Sequence, residues 1–255
     1  MSKNISKKEL KKPDQFVSFW TKLSAEVSRL LQKQGRALAV GAGVLAVVIV
    51  ATVAFTQVRS RRAERDSEAL ARVDRIATAD LLPADGSAPA KDEGIPRFKS
   101  EKERLEGALK EADAFLAASP RSPLRAEAQL HRATYLSALQ RTDEAIAAYT
   151  QLLSGGVEAP LRYLAQEGLG YAYEAKGELD KAADAFARLS DLAAKESAKL
   201  DGFYQDRALY HKARIAEIKG NRAEAAKLYH EVLDKAPGTS LRDEISNRLA
   251  VLESK

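Results

Sequence analysis

Two stretches of the sequence repeat one pattern at a spacing of 37 residues, and this repeat constrains the fold more than any other feature. Residues 123–152 and 160–189 both begin with Pro-Leu-Arg and share ten of thirty aligned positions. Self-similarity of this kind is typical of solenoids, in which each unit buries its apolar face only against its neighbours. Within each copy, apolar residues recur three and four positions apart, which predicts helices. The sequence therefore predicts an all-α repeat array.

Each copy is predicted to form a helix, a tight turn and a second helix. In the second copy Gly177 stands where the first helix should end, since glycine tolerates the left-handed backbone of a helix terminus. The first copy has Gln140 at the turn instead. A third copy follows the second at a larger spacing of 43 residues.

The second and third copies share a set of small, aromatic and turn residues. The set is Leu169, Gly170, Tyr173, Gly177, Ala182 and Phe186 in the second copy, and Gly220, Ala225, Tyr229 and Pro237 in the third. In order and spacing, the residues of the second copy resemble the tetratricopeptide repeat, a helical repeat that binds other proteins, and those of the third copy match it in part. The resemblance implies two helices that cross closely at small residues, with an aromatic side chain between adjacent units.

The resemblance covers residues 101–255, which we predict to be a tetratricopeptide repeat domain. Residues 103–120 resemble the second helix of an earlier unit. Its partner is expected in the stretch around Glu64–Leu82, within a juxtamembrane helix predicted over residues 59–82. Residues 83–100 contain three Pro and two Gly, which predicts a long loop. A single apolar stripe predicts a C-terminal capping helix. The stripe consists of Leu241, Ile245, Leu249 and Leu252.

A stretch of 22 residues without a charge lies between Arg36 and Arg59. As a helix it is about 33 Å long, enough to cross a hydrocarbon core of about 30 Å. A cleaved signal peptide explains it less well, because the preceding segment is long and the apolar stretch exceeds a signal core. We therefore expect residues 37–58 to form a single, uncleaved transmembrane helix.

The basic residues of the chain are concentrated in the tail, residues 1–36. This tail has nine Lys and Arg against three Asp and Glu, whereas the rest of the chain has a net charge of −1. Nucleic-acid binding, which requires a basic stripe on the folded domain, is therefore not expected. We predict an amphipathic helix that lies on anionic lipid or docks on a membrane partner, with a weakly ordered extension as the alternative. Its apolar stripe consists of Phe16, Trp20, Leu23, Val27, Leu30 and Leu31.

The orientation of the span follows from the charges on its two sides. Arginines crowd the second flank as well, so the positive-inside rule alone is ambiguous. Acidic residues partly neutralise that flank, and translocating the Lys-rich tail is harder, so we expect the tail in the cytoplasm and the repeats outside. Gly35, Ala39 and Gly43 form a small-residue face for helix packing, or simply part of a generic membrane helix.

No catalytic signature is found in the sequence. The chain has no Cys, which excludes disulfides, thiol catalysis and Cys-based metal sites. His131, His211 and His230 are not at metal-ligand spacing, so no metal is expected. We predict a protein that is not an enzyme and has no cofactor.

The resemblance implies a concave groove, lined by the first helices, that binds a peptide. Tyr side chains offer broad apolar contact with a polar tip, and the mixed charges suit an extended or helical peptide. The basic clamp of members that bind chaperone tails is not matched, because this lining has one Arg and three Glu. Solvated helix faces are the alternative. The predicted groove residues are Leu130, Thr134, Glu167, Tyr171, Glu174, Tyr210, Arg214 and Glu217.

The layout of tail, span and repeats resembles the bacterial ancillary Sec translocon subunit family. The resemblance implies a single-pass protein of the inner membrane with its repeats in the periplasm. It also implies a chaperone-like adaptor whose partners are the translocon, envelope chaperones and secreted clients. One alternative is a structural scaffold of an envelope complex, a homo-oligomer formed through the membrane helix or residues 60–82. Another is a cytoplasm-facing receptor, if the topology is reversed.

Overall fold

The computed structural model describes residues 15–82, 97–195 and 204–254, except for the side chains at positions 15–17, 30, 31, 34 and 38. Helices dominate these ranges, and the strand-like pairing within them is an isolated bridge between Leu81 and Phe98. The predicted all-α helical-repeat fold is therefore confirmed. The chain divides into two units, Met1–Arg62 and Ala63–Lys255.

Helices succeed one another through the described ranges, and most are joined by short turns. From α3 onward they pair as first and second helices of a unit: α3 with α4, α5 with α6, and α7 with α8, followed by α9. The helices are α1 (Gln15–Ala77), α2 (Glu101–Ala118), α3 (Arg125–Ala138), α4 (Thr142–Ser154), α5 (Ala159–Ala175), α6 (Leu179–Lys195), α7 (Gln205–Ile218), α8 (Arg222–Lys235) and α9 (Arg242–Glu253).

The N-terminal unit contains the apolar part of α1. An 18-residue window there has a mean hydropathy of 2.6 and no buried residue, so the helix is long and apolar enough to cross a membrane. In the predicted amphipathic stripe, Trp20, Leu23 and Val27 are exposed. The side chains of the other three stripe positions, 16, 30 and 31, lie outside the described residues.

The end of α1 belongs to the second unit and packs on α2. Val73 and Ile76 are buried in one cluster with Phe115 of α2. The hydroxyl of Ser119 donates to Oδ1 of Asp66 at 2.6 Å. Residues 63–77 are thus the first helix of a pair that α2 completes, and the helix ends at residue 77.

Helix α2 begins with reciprocal backbone caps. Ser100 Oγ accepts from the backbone N–H of Glu103 at 3.2 Å, and the Glu103 carboxylate accepts from the N–H of Lys99 at 2.8 Å. These two bonds satisfy donors that a helix N-terminus leaves unpaired. Most of the predicted loop that precedes them, residues 83–96, lies outside the described residues.

The turns within the three copies share one backbone conformation. Gln140 has φ of 59°, Gly177 of 79° and Gly220 of 81°, all in the left-handed region that favours glycine. These positions are 37 and 43 residues apart, as the repeat requires. The first copy therefore makes the same turn as the other two, but with Gln140, which is less suited than glycine to the left-handed conformation.

Close helix packing within the second copy of the repeat depends on Gly170. A Cβ at this position would lie 2.5 Å from the ring of Phe186 on α6, a distance that no real contact allows. Ala182 and Phe186 are completely buried between the two helices. The small residue on α5 therefore lets the ring of α6 fill the space between them.

Helix α9 closes the end of the array. Its buried residues Ile245, Leu249 and Leu252 form one cluster with Tyr229 and Val232 of α8. The remaining residue of the predicted stripe, Leu241, is partly buried against the same cluster. In the third copy Ala225 is also buried, whereas Pro237 is exposed.

Candidate functional site

Successive first helices place equivalent residues side by side. Spacings of 37, 43 and again 37 residues relate Thr134, Tyr171, Arg214 and Val251, each on the first helix of its unit. We call the surface around these positions on α3, α5, α7 and α9 the first-helix face. It contains the groove residues that the sequence predicts.

A carboxylate of α5 lies at the centre of this face, and the next first helix surrounds it. Oε1 of Glu167 lies 2.8 Å from Nε2 of His211 and 2.8 Å from an amino group of Arg207, both on α7. Glu167 and His211 are buried. The His211 ring is stacked on Phe186 of α6, with centroids 4.6 Å apart. One carboxylate thus joins two successive units.

The surroundings of Glu167 favour its ionised form. Burial by itself raises the pKa of this carboxyl, but the hydrogen bond with His211 and the positive charge of Arg207 outweigh burial. The pKa of Glu167 is therefore held below its usual range. A buried carboxylate with two partners of this kind is a structural group rather than a proton carrier.

A second carboxylate on α5 pairs with α7 two turns further along. The guanidinium of Arg214 binds both carboxylate oxygens of Glu174, and one of these bonds measures 2.6 Å. The same guanidinium lies 5.2 Å from the ring centroid of Tyr171, a cation–π distance. Bidentate pairing fixes the orientation of Arg214 and therefore also the surface beside Tyr171.

The same arrangement continues from α7 to α9. The Tyr210 hydroxyl donates to the Glu244 carboxylate, one unit after the Glu167–Arg207 pair and at the equivalent positions. Burial and this hydrogen bond raise the pKa of Tyr210 to about 12, so the phenol stays protonated. Glu217 accepts from Arg248 of α9 at 3.0 Å and from the Tyr229 hydroxyl at 2.8 Å. On α5, α7 and α9, charged groups of this face are therefore paired from one unit to the next.

The predicted groove residues differ in how far they reach solvent. Thr134 and Tyr171 are exposed, whereas Glu167 and Tyr210 are buried. Thr134 donates its hydroxyl hydrogen bond to the backbone of its own helix, to the carbonyl of Leu130 at 3.0 Å. Partly buried positions on the face are Leu130, Glu174, Arg214 and Glu217.

Each of four residues supplies a partner to a predicted residue of this face but is not itself among those predicted from the sequence: Arg207, His211, Glu244 and Arg248. One signal for Arg207 was available, because this residue lies 43 positions after Leu164 and seven before Arg214, at the spacing of one helix face. No local pattern indicates which carboxylate it meets.

Exposed apolar side chains lie along the same face. Within the described part of Ala63–Lys255, five large hydrophobic residues have strongly exposed side chains. Four of these five residues are on first helices. These four are Leu164, Tyr171, Ile218 and Val251, and the fifth, Leu81, lies outside the helices. The face thus combines paired charges with an unpaired apolar strip.

The three histidines are in separate places, each beside a carboxylate. His131 lies 3.5 Å from Asp74, and His230 lies 2.7 Å from Glu253. Across the described residues, no group of three or more His, Asp or Glu side chains is arranged to hold a metal ion. The histidine contacts are therefore pairs between helices.

Comparisons with known proteins concern the fold. No protein-family model and no curated protein matches this chain. A candidate kinesin light chain from Podosopora anserina with nearly identical TPR-like repeats has 19% identity and a TM-score of 0.49, over 59% of this chain and 78% of that one. A tetratricopeptide repeat protein from Parabacteroides merdae has 18% identity and a TM-score of 0.33, over 61% of this chain and 69% of that one. At such low identities, no property of these proteins is transferred to this chain.

Proposed function

We propose that this protein is a membrane-anchored adaptor without enzymatic activity, which binds other proteins through its repeats. In this proposal, residues 37–58 cross the inner membrane of a bacterium, with the N-terminus in the cytoplasm and the repeats in the periplasm. The adaptor acts beside the Sec translocon, as the resemblance in layout implies, and receives or escorts secreted chains.

The observation that carries the proposal is the exposure of the apolar helix. Side chains such as Val40, Val47 and Phe55 are each about two-thirds exposed, at 67%, 68% and 66%. Burying such a side chain is worth about 1.5–3 kcal/mol, so ten or more of them in water are strongly unfavourable. A lipid bilayer covers all sides of one helix at once, and a protein partner covers only one.

The adaptor part of the proposal is supported by the first-helix face. It extends over four first helices, and its polar groups are held by bonds between units rather than aimed at one reaction centre. An extended, stable surface suits the recognition of another polypeptide.

Topology is tested with single cysteines, because the chain has none of its own. Ser246→Cys lies on α9 at an exposed position, and Ser24→Cys lies in the tail part of α1 as the matched control. Cells with a permeabilised outer membrane are treated with a thiol reagent that cannot cross the inner membrane. We expect labelling at position 246 and not at 24. The reverse pattern would place the repeats in the cytoplasm and favour a cytoplasm-facing receptor.

Association with the translocon is tested by purifying the full chain from gently solubilised membranes and identifying the proteins bound to it. We expect translocon subunits and envelope chaperones among them. A self-associated complex that contains only copies of this chain would favour the envelope scaffold instead.

A further inference from the structure

We propose that the first-helix face binds uncharged, apolar segments of unfolded polypeptide rather than charged peptide tails. The juxtaposition of paired charges on α5, α7 and α9 with an exposed apolar strip leads to this inference. It rests on the proposed function, since it names the chemistry of the partner that the repeats hold.

The first step concerns the charges that a ligand would meet. Both carboxylates of α5 already bind arginines of α7, through Glu167–Arg207 and Glu174–Arg214. Arg248 of α9 binds two carboxylates, Glu217 of α7 at 3.0 Å and Glu244 of its own helix at 3.1 Å. A charged ligand that displaced one of these partners would leave the other side chain without its counter-charge. That loss makes a charged segment a poor ligand for this face.

The second step concerns what remains free for a ligand. Leu164, Tyr171, Ile218 and Val251 are 39%, 43%, 46% and 65% exposed. Tyr171 and Val251 occupy equivalent positions two units apart, with Arg214 between them. Leu164 lies seven residues before Tyr171, and Ile218 lies four after Arg214, so all four share the same helix face. Covering this apolar surface makes a favourable contribution to the free energy of ligand binding.

The third step concerns the length of the ligand. Axes of closely packed helices are about 8–10 Å apart, so the path from α5 across α7 to α9 is at least about 16–20 Å. An extended chain advances about 3.3 Å per residue, so at least about six residues are needed to cover this path. A short apolar stretch within an unfolded chain meets this requirement, whereas most folded proteins bury such stretches.

The experiment measures peptide binding to the full chain in lipid nanodiscs by fluorescence anisotropy. The probes are three fluorescein-labelled octapeptides of one scaffold. The first contains Leu, Val, Ala and Ser, and the others carry Glu or Lys at two of the apolar positions. Empty nanodiscs give the partition of each peptide into lipid, which is subtracted. We expect the apolar peptide to bind at least about tenfold more tightly than either charged peptide.

The matching variant is Leu164→Ser/Ile218→Ser/Val251→Ser, in which all three positions are exposed and the charge pairs stay intact. We expect it to melt like the native chain and to bind the apolar peptide about tenfold more weakly or worse. Leu81→Ser is the control, because Leu81 is similarly exposed at 39% but lies outside the first-helix face. Its affinity should equal that of the native chain.

Three results would overturn the inference. The first is tighter binding of an acidic or basic peptide than of the apolar one. The second is undiminished binding of the apolar peptide by the folded triple variant. The third is no binding of any peptide by a chain that still captures translocon or envelope proteins, which would leave the proposed function standing. If the labelling experiment placed the repeats in the cytoplasm, the proposed location would be contradicted. The peptide-binding measurement would still decide the preference for apolar segments.

Discussion

The imidazole Nε2 of His211 lies 2.8 Å from Oε1 of Glu167, and this contact joins the first helices of two successive units. The same oxygen binds Arg207, so one buried carboxylate holds two side chains of α7. In a repeat array each unit is stabilised through its neighbours. Glu167 is therefore expected to contribute to the stability of the array as well as to the shape of the first-helix face.

Glu167→Gln should lower the free energy of unfolding by about 1–3 kcal/mol at pH 7, because the buried His211 and the more exposed Arg207 lose the carboxylate that binds them both. Urea denaturation of the detergent-solubilised chain, followed by circular dichroism, measures this difference. Glu158→Gln is the control, since Glu158 is exposed and its side chain caps no backbone group. Equal stability of the two variants would contradict the structural role of Glu167.

The contribution of Glu167 should depend on pH in a defined direction. Because its pKa is lower in the folded chain than in the unfolded chain, its stabilising effect is complete above about pH 4.3, the ordinary value for glutamate. The effect is lost as pH falls through the folded-state pKa. The stability difference between the native chain and Glu167→Gln should therefore shrink below about pH 4.3. A difference that grows on acidification would show that the sign is wrong.

The architecture follows from short-range patterns, which explains why the sequence predicts it. Gly177 and Gly220 mark turns because the required backbone conformation is local, and Gly170 marks a close crossing because its helix partner follows immediately. The partners of Glu167 depend on how α5 packs on α7, after an interval that the repeat lengthens by six residues. A helix stripe also cannot distinguish exposed Tyr171 from Glu167 one turn earlier. Burial of the carboxylate therefore emerged only in the structure.

Gln140→Gly should stabilise the chain by about 1 kcal/mol, because Gln140 adopts a left-handed φ of 59° that costs a side-chain residue about this much. Thermal or urea unfolding measures the gain. The reciprocal change, Gly177→Ala at φ of 79°, should destabilise by a similar amount. If both substitutions lowered the free energy of unfolding, the left-handed backbone at Gln140 would not be what destabilises the turn of the first copy.

Arg214 and Glu174 should be strongly coupled in a double-mutant cycle. Their side chains are only 13% and 21% exposed, and two charge-assisted hydrogen bonds join them. Single and double replacements with Gln should give a coupling free energy of about 1.5–3 kcal/mol. Arg141 and Glu144 form a matched two-bond pair at the surface, which should give less than about 1 kcal/mol. Similar values for both pairs would contradict the importance of burial on the first-helix face.

The central claim is that the repeats hold other proteins on the first-helix face, and photo-crosslinking in living cells tests it most directly. A benzoylphenylalanine at Ile218 places the reactive group on this face, and one at Asp234 places it at an exposed site on the second helix α8. Irradiation of cells that produce the full chain should give covalent adducts with other proteins from position 218 and few or none from 234. Adducts from position 234 alone, or none from either position, would contradict the claim.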